Sequence, residues 1–245
     1  MKNCKNKIII LIFVFLIILL LSIPILIANT RASNRNNEIY REKIYYEIKY
    51  LEAQIVEMID LLNNTSSNNN FYIDWQELQI ETRNIYNYWN STILDFNNLE
   101  IDKKDLTDFG KDLDNLIIST NNNIKEDTIK NLLSMYNKLI IYSTSLNSGN
   151  YNNILNTKIQ LLRASSTVET GNWTLTHEYI LQASTNITNL VNSFGNNEYN
   201  QYNINKAYIA IKELENLINI KDLEVFYFKY KNAMENIEKI KIGEV

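Results

Sequence analysis

The chain has 245 residues, a formal net charge of −4 and a single cysteine, Cys4, so an intrachain disulfide is excluded. Its acidic balance disfavours a nucleic-acid partner, because an acidic surface repels the phosphate backbone. It has one proline, five glycines and an excess of asparagine and isoleucine. This composition is typical of AT-rich coding and favours helices joined by polar turns.

The N-terminal part of the chain contains an apolar run from Ile8 to Ala28. About 20 apolar residues are enough to cross the hydrocarbon core of a membrane. Basic residues are concentrated just before the run, at Lys2, Lys5 and Lys7. By the positive-inside rule, this pattern predicts a single membrane span with a cytoplasmic N-terminus and a C-terminal domain outside the cell.

A cleaved signal peptide is the alternative interpretation of the same run, and the protein would then be secreted. Small residues at Thr30 and Ala32, before Ser33, would suit a cleavage site. The run is longer than the usual apolar region of a signal peptide, which favours a retained anchor. We therefore divide the chain into an anchor or signal segment (1–30), a juxtamembrane amphipathic helix with an Asn/Ser-rich linker (31–70), and an extracytoplasmic helical domain (71–245).

The first predicted helix runs from about Asn37 to about Leu62, and its apolar residues recur in steps of three and four. They form one stripe: Ile44, Ile48, Leu51, Ile55, Met58 and Leu62. This spacing is close to that of a coiled-coil seam, so the stripe either docks on the rest of the chain or pairs with a second copy. The short linker that follows favours docking, whereas pairing would make a homodimer.

Seven more predicted helices follow, packed as antiparallel neighbours because their connections are short. Asp74, Asp102 and Asp222 are expected to cap the second, third and eighth helices, since their carboxylates can accept hydrogen bonds from first-turn N–H groups. The other expected boundaries are Gly149 after the fourth helix, Gly171 after the fifth, Gly195 after the sixth and Asn203 before the seventh. The expected fold is all-α, with an N-terminal transmembrane helix and about eight antiparallel helices, either as a helical bundle or as a short array of helical hairpins.

Three stretches stand out together: residues 168–173 (VETGNW), 202–208 (YNINKAY) and 221–232 (KDLEVFYFKYKN), with Trp89 and Asn90. They resemble a group of uncharacterised exported or lipid-anchored helical proteins of clostridial-type, low-GC Gram-positive bacteria, over roughly residues 71–240. The resemblance implies a location and a fold type, and no activity. Members of the group often carry a lipoprotein cysteine after the apolar run. This chain has none there, which leaves the run itself as the anchor.

Candidate catalytic residues are few. His177 is the only histidine and precedes Glu178, so the two could act as a base and its orienter, although a partly exposed histidine near a helix start is the interpretation that we favour. Paired carboxylates, which we interpret as solvated helix faces, occur at Glu77, Glu81, Asp112, Asp114, Glu213 and Glu215. The chain has no second histidine and no cysteine after the apolar run. We therefore predict no metal site, no cofactor and no enzymatic activity.

Aromatic side chains cluster in the first and last helices, where they form a candidate interaction surface. Its predicted members are Tyr40, Tyr45, Tyr46, Tyr50, Tyr227 and Phe228. Aromatic faces bind partner proteins well, although tyrosines at the edge of a core would give the same pattern. The sequence thus predicts a noncatalytic, membrane-anchored, extracytoplasmic module that binds another protein. The alternative is an extracytoplasmic ligand-sensing domain that signals through a membrane partner.

Overall fold

The computed structural model describes residues 38–63, 72–99, 101–146, 149–193 and 198–241, without the side chains of residues 198–200. In these residues all regular secondary structure is helical, which confirms the all-α prediction. The predicted membrane-spanning run, residues 8–28, lies outside the described residues. The helices are α1 (38–63), α2 (Trp75–Asn97), α3 (Lys103–Asn121), α4 (Lys125–Thr144), α5 (Gly149–Val168), α6 (Trp173–Ser193), α7 (Glu198–Leu217) and α8 (Leu223–Glu238).

The chain divides into two compact units, Met1–Lys43 and Ile44–Val245. Of the first unit the structure describes only residues 38–43, which are helical. The second unit contains the rest of α1 and all of α2 to α8. From α2 to α8 each helix packs against the next one in the chain, and α5 also packs against α8. The connections between them are short in sequence, which makes consecutive helices antiparallel.

The three predicted N-caps are confirmed. The backbone N–H of Glu77 donates to Oδ1 of Asp74 at 3.0 Å. Asp102 and Asp222 accept equivalent bonds of 2.9 Å from the first turns of α3 and α8. Each carboxylate satisfies an N–H group that has no partner within its helix, which is why these helices begin where the sequence predicts.

The predicted end of the fourth helix is wrong. Helix α4 ends at Thr144, and Gly149 is instead the first residue of α5. The N–H groups of Ser145 and Leu146 donate to carbonyl groups three residues earlier. These bonds tighten and close the last turn of α4 without a glycine.

Of the two predicted boundaries at the end of α5 and the start of α7, the first is confirmed and the second is wrong. Gly171 lies just beyond α5, as predicted, with a φ of 73° that glycine adopts readily. Helix α7 begins at Glu198 instead of after Asn203, so part of the Asn-rich stretch is helical. The low helix propensity of asparagine is a weak preference, and tertiary packing can override it.

An aromatic cluster fills the core between α2, α3 and α4. The apolar stripes of their helices predict that Trp89 and Trp173 are largely buried. Trp89 is 2% exposed, and its ring centroid lies 4.2 Å from that of Phe109 and 5.4 Å from that of Phe96. The ring of Tyr142 is stacked nearly parallel to that of Trp89 at 6.3 Å. Trp173 is only half-buried, because it is the first residue of α6.

The part of α1 that belongs to the second unit, from Ile44 onward, docks on the other helices of that unit, which is the first of the two alternatives for its apolar stripe. The Tyr230 hydroxyl of α8 donates to Oδ1 of Asp60 at 2.9 Å, and Nδ2 of Asn63 donates to Oγ of Ser165 at 3.0 Å. The six stripe residues have no exposed surface: Ile44, Ile48, Leu51, Ile55, Met58 and Leu62. The stripe is therefore used within one chain and is not available to pair two copies.

Candidate functional site

Tyrosines of α1 and α2 form an exposed aromatic surface, which we define as Tyr46, Tyr50 and Tyr88. Tyr46 is 54% exposed and Tyr50 is 39% exposed. The rings of Tyr50 and Tyr88 pack with their centroids 4.0 Å apart, and the ring of Tyr46 meets that of Tyr45 edge-on at 5.5 Å. Each exposed ring is thus supported by another tyrosine, so little conformational entropy remains to be lost on binding.

The other predicted surface residues are distributed differently. Tyr45 is half-buried, with its ring 4.7 Å from that of Tyr151, and it supports the surface from below. Tyr40 belongs to the unit Met1–Lys43 and is half-buried. Tyr227 does not belong to the surface as predicted, because it is 6% exposed. Its hydroxyl donates to the carbonyl group of Ser165 at 3.0 Å. Phe228, the next residue, is exposed on a different face of α8.

A cleft of about 780 Å³ lies between α4 and the C-terminal end of α5. Ile129 and Leu133 provide its apolar lining. Lys125 of α4 pairs with Glu169, in the turn after α5, at 2.5 Å. The hydroxyl groups of the lining donate inside the protein, as those of Ser134, Ser166, Thr167 and Thr170 show. A cleft of this size and mixed lining is within the range of small-molecule sites.

An ionic cluster that the sequence did not predict lies in the core. It consists of Glu52 of α1, Lys158 of α5 and Glu238 at the end of α8. Glu52 is 3% exposed and Lys158 is 2% exposed, with Oε1 and Nζ 2.6 Å apart. Lys158 also bonds to Glu238, whose side chain is half-exposed. The hydroxyl of Tyr136 in α4 donates to Oε1 of Glu52 at 3.2 Å.

The charges of this cluster influence the pKa values of its neighbours. Burial alone lowers the pKa of Lys158, but the carboxylates of Glu52 and Glu238 outweigh it, so the pKa is raised and the ammonium stays charged. Burial, and then the charge of Glu52, raises the pKa of the hydroxyl groups of Tyr136 and Tyr151. Both hydroxyl groups therefore stay neutral, and that of Tyr136 serves as the hydrogen-bond donor to Glu52.

One feature of the sequence could have revealed Lys158. It lies between two groups of apolar residues of α5 that do not keep to one face of the helix: Ile154 with Leu155, and Ile159 with Leu161 and Leu162. A helix with apolar residues on several faces is expected to be central, so a lysine between these groups is expected to meet a buried acid. The sequence indicated the burial of Glu52 less clearly. Glu52 follows Leu51 of the stripe, and a residue in that place can equally lie at the solvent-exposed edge of the stripe.

The predicted catalytic candidates do not converge. His177 is half-buried in the second turn of α6. None of the six predicted carboxylates is fully buried; Asp112 accepts from the hydroxyl of Ser134 at 2.6 Å, and Glu213 pairs with Lys229 at 2.5 Å. Within the described residues, no three histidine, cysteine or acidic side chains are grouped so as to hold a metal ion.

Comparisons with protein-family models, with curated proteins and with solved structures find no match to this chain. The resemblance of the three stretches to exported helical proteins therefore stays a prediction. Among the helices of the described ranges, none combines the length and the apolar character that crossing a membrane requires.

Proposed function

We propose that this protein is a noncatalytic interaction module, held on the outer face of the cell membrane by residues 8–28, and that its partner is another protein. The aromatic surface carries the proposal. Tyrosine is enriched at the centres of protein interfaces, because one side chain offers a large apolar area and a hydrogen-bonding tip. Tyr46 and Tyr50 present such area on a helix whose opposite face is anchored in the core.

The proposed location rests on the apolar run and its basic flank. We expect a reporter enzyme fused after Val245 to be active only if that end lies outside the cytoplasm. Protease added to intact protoplasts should remove the domain, because nothing shields it from the medium. A matched control deletes residues 8–28, which should leave the fusion in the cytoplasm. A C-terminus that stays protected in the full-length protein would contradict the proposed topology.

The proposed partner surface can be tested by photo-crosslinking in intact cells. Lys49 is exposed between the two tyrosines, so a photoreactive residue placed there should crosslink to the partner. Tyr46→Ala with Tyr50→Ala should lower the yield of that product at least about tenfold, since truncating a central interface residue costs 2 kcal/mol or more. Both side chains are exposed enough for folding to be retained.

Tyr202→Ala is the matched control, because Tyr202 is an exposed tyrosine on another helix, α7. It should leave the crosslink to Lys49 unchanged. A crosslinked product that survives the loss of both Tyr46 and Tyr50 would show that the partner binds elsewhere. The absence of any protein product at Lys49 would also count against this surface.

The cleft between α4 and α5 favours the second candidate function, an extracytoplasmic ligand-sensing domain. An uncharged apolar dye such as Nile red serves as a probe, because the lining has an apolar centre and its charges balance. Leu133→Trp fills the cleft and should weaken dye binding at least about tenfold. Ile141→Trp, at an exposed site on the same helix, is the control. Equal binding by both variants would exclude the cleft as the dye site.

A further inference from the structure

The apolar stripe of α1 does not by itself determine where α1 lies along its neighbours. All of its members are Ile, Leu or Met, and they recur every three or four residues. A displacement by four residues, about one turn, brings Ile48, Ile55 and Leu62 to the places of Ile44, Leu51 and Met58, so apolar side chains again meet the core. In coiled coils with such repeats, a polar residue at a core position selects one register.

Glu52 is a polar residue of α1 with direct bonds to two other helices. Its Oε1 lies 2.6 Å from Nζ of Lys158 in α5 and 3.2 Å from the hydroxyl of Tyr136 in α4. Lys158 in turn bonds to Glu238 at the end of α8. The position of one carboxylate on α1 is therefore matched to groups on three neighbouring helices.

Any displacement of α1 by one or two turns removes this carboxylate from Lys158. The residues that would take its place on the same helix face lie three, four or seven positions away. These are Tyr45, Ile48, Lys49, Ile55, Val56 and Ile59. None is acidic and one carries a like charge, so every displaced register leaves the buried ammonium without its buried partner, which is strongly unfavourable.

We infer that the Glu52–Lys158 pair is a register lock, which holds α1 at one position along α5 and α8, and that without the pair α1 also occupies a position about one helical turn, or 5.4 Å, away. The stripe buries apolar surface in either register, and the ion pair selects between them. Two hydrogen bonds also belong to the observed register, those of Asp60 with Tyr230 and of Asn63 with Ser165. Each has a neutral partner, so losing it costs less than leaving a buried charge unpaired. Replacing a buried ion pair by apolar residues of similar volume often costs no stability. Selection of a register is thus the contribution that an apolar pair could not make.

Distances between spin labels on the full-length protein in detergent test the lock. Labels at Ala53 of α1 and Phe228 of α8, both exposed, report where α1 lies. The wild-type pair should give one narrow distance. In Glu52→Leu/Lys158→Met we expect a second distance population, displaced by several ångströms and by no more than the roughly 5.4 Å of one turn.

Two controls distinguish a change in the register of α1 from a general loosening of the fold. Labels at Thr170 and Phe228, neither on α1, should give the same distance in every variant. Glu213→Leu/Lys229→Met removes a half-exposed ion pair between α7 and α8 and should leave one α1 distance. If Glu52→Leu/Lys158→Met folds and gives only the wild-type distance between Ala53 and Phe228, the register lock is overturned. Loss of cooperative folding in that variant also overturns it, because the pair would then act on stability.

A second variant tests the lock in the opposite direction. Glu52→Val/Val56→Glu keeps the composition but moves the carboxylate four residues along α1. If the carboxylate selects the register, α1 should move so that the relocated acid meets Lys158, and the main distance should change by up to about 6 Å. A swap variant that keeps the wild-type distance, or that does not fold, contradicts the lock.

Discussion

Lys158→Met should lower the free energy of unfolding by about 3–5 kcal/mol, because removing one partner of a buried ion pair leaves the other charge uncompensated. The carboxylate of Glu52 would keep the hydroxyl of Tyr136 as a hydrogen-bond donor, but no cation would remain in the ionic cluster. Glu238 loses less, since its half-exposed side chain can turn to water. Urea unfolding of the full-length protein in detergent, followed by circular dichroism, measures the change.

The same measurement on two further variants isolates the cause. Lys111→Met removes an exposed lysine that pairs with Asp108 on α3, and it should be indistinguishable from wild type. Adding Glu52→Leu to Lys158→Met should restore most of the lost stability, because it removes the uncompensated charge. A double variant as unstable as Lys158→Met alone would show that lost packing, and not the charge of Glu52, causes the effect.

Trp89→Ala should also destabilise the protein by about 3–5 kcal/mol, through lost transfer energy and the cavity that it leaves. The ring is packed against Phe96, Phe109 and Tyr142, which come from three helices, so local collapse cannot fill the space. Urea unfolding again measures the change. It is followed by far-ultraviolet circular dichroism, which reports helix content and does not rely on tryptophan fluorescence.

Trp173→Ala is the matched control for the loss of an indole ring. Trp173 is half-buried at the start of α6, with one edge contact to Phe226 at 6.1 Å between centroids. It should therefore lose clearly less stability than Trp89→Ala. A loss below 1 kcal/mol for Trp89→Ala, or an equal loss for both variants, would contradict the core position assigned to Trp89.

Much of the fold could be predicted from sequence, because local interactions determine where a helix begins and which of its residues share a face. Asp74, Asp102 and Asp222 cap their helices through bonds to N–H groups two or three residues away. The stripe of α1 is visible because helical periodicity brings residues three and four apart onto one face. Where the local rule was weak, as at Gly149 and Asn203, the prediction of the boundary was wrong.

The candidate sites depended more on tertiary structure. Sequence reasoning identified the tyrosines of α1 as a cluster, and the structure leaves Tyr46 and Tyr50 exposed while it buries Tyr227. Neighbouring aromatic residues on one helix point in different directions, so their exposure depends on where the helix packs. The cleft between α4 and α5 could not be predicted, because its lining comes from the facing sides of two helices.

Sequence alone determined the helical class, the three aspartate caps and the apolar stripe of α1, because each follows from interactions within a few residues. Only the tertiary structure decided that the stripe docks within its own chain, and that Glu52 meets Lys158 across 106 residues of sequence. A buried charge is tolerated only where a distant partner is brought to it. Which partner that is depends on how the helices pack, and no local pattern contains that information.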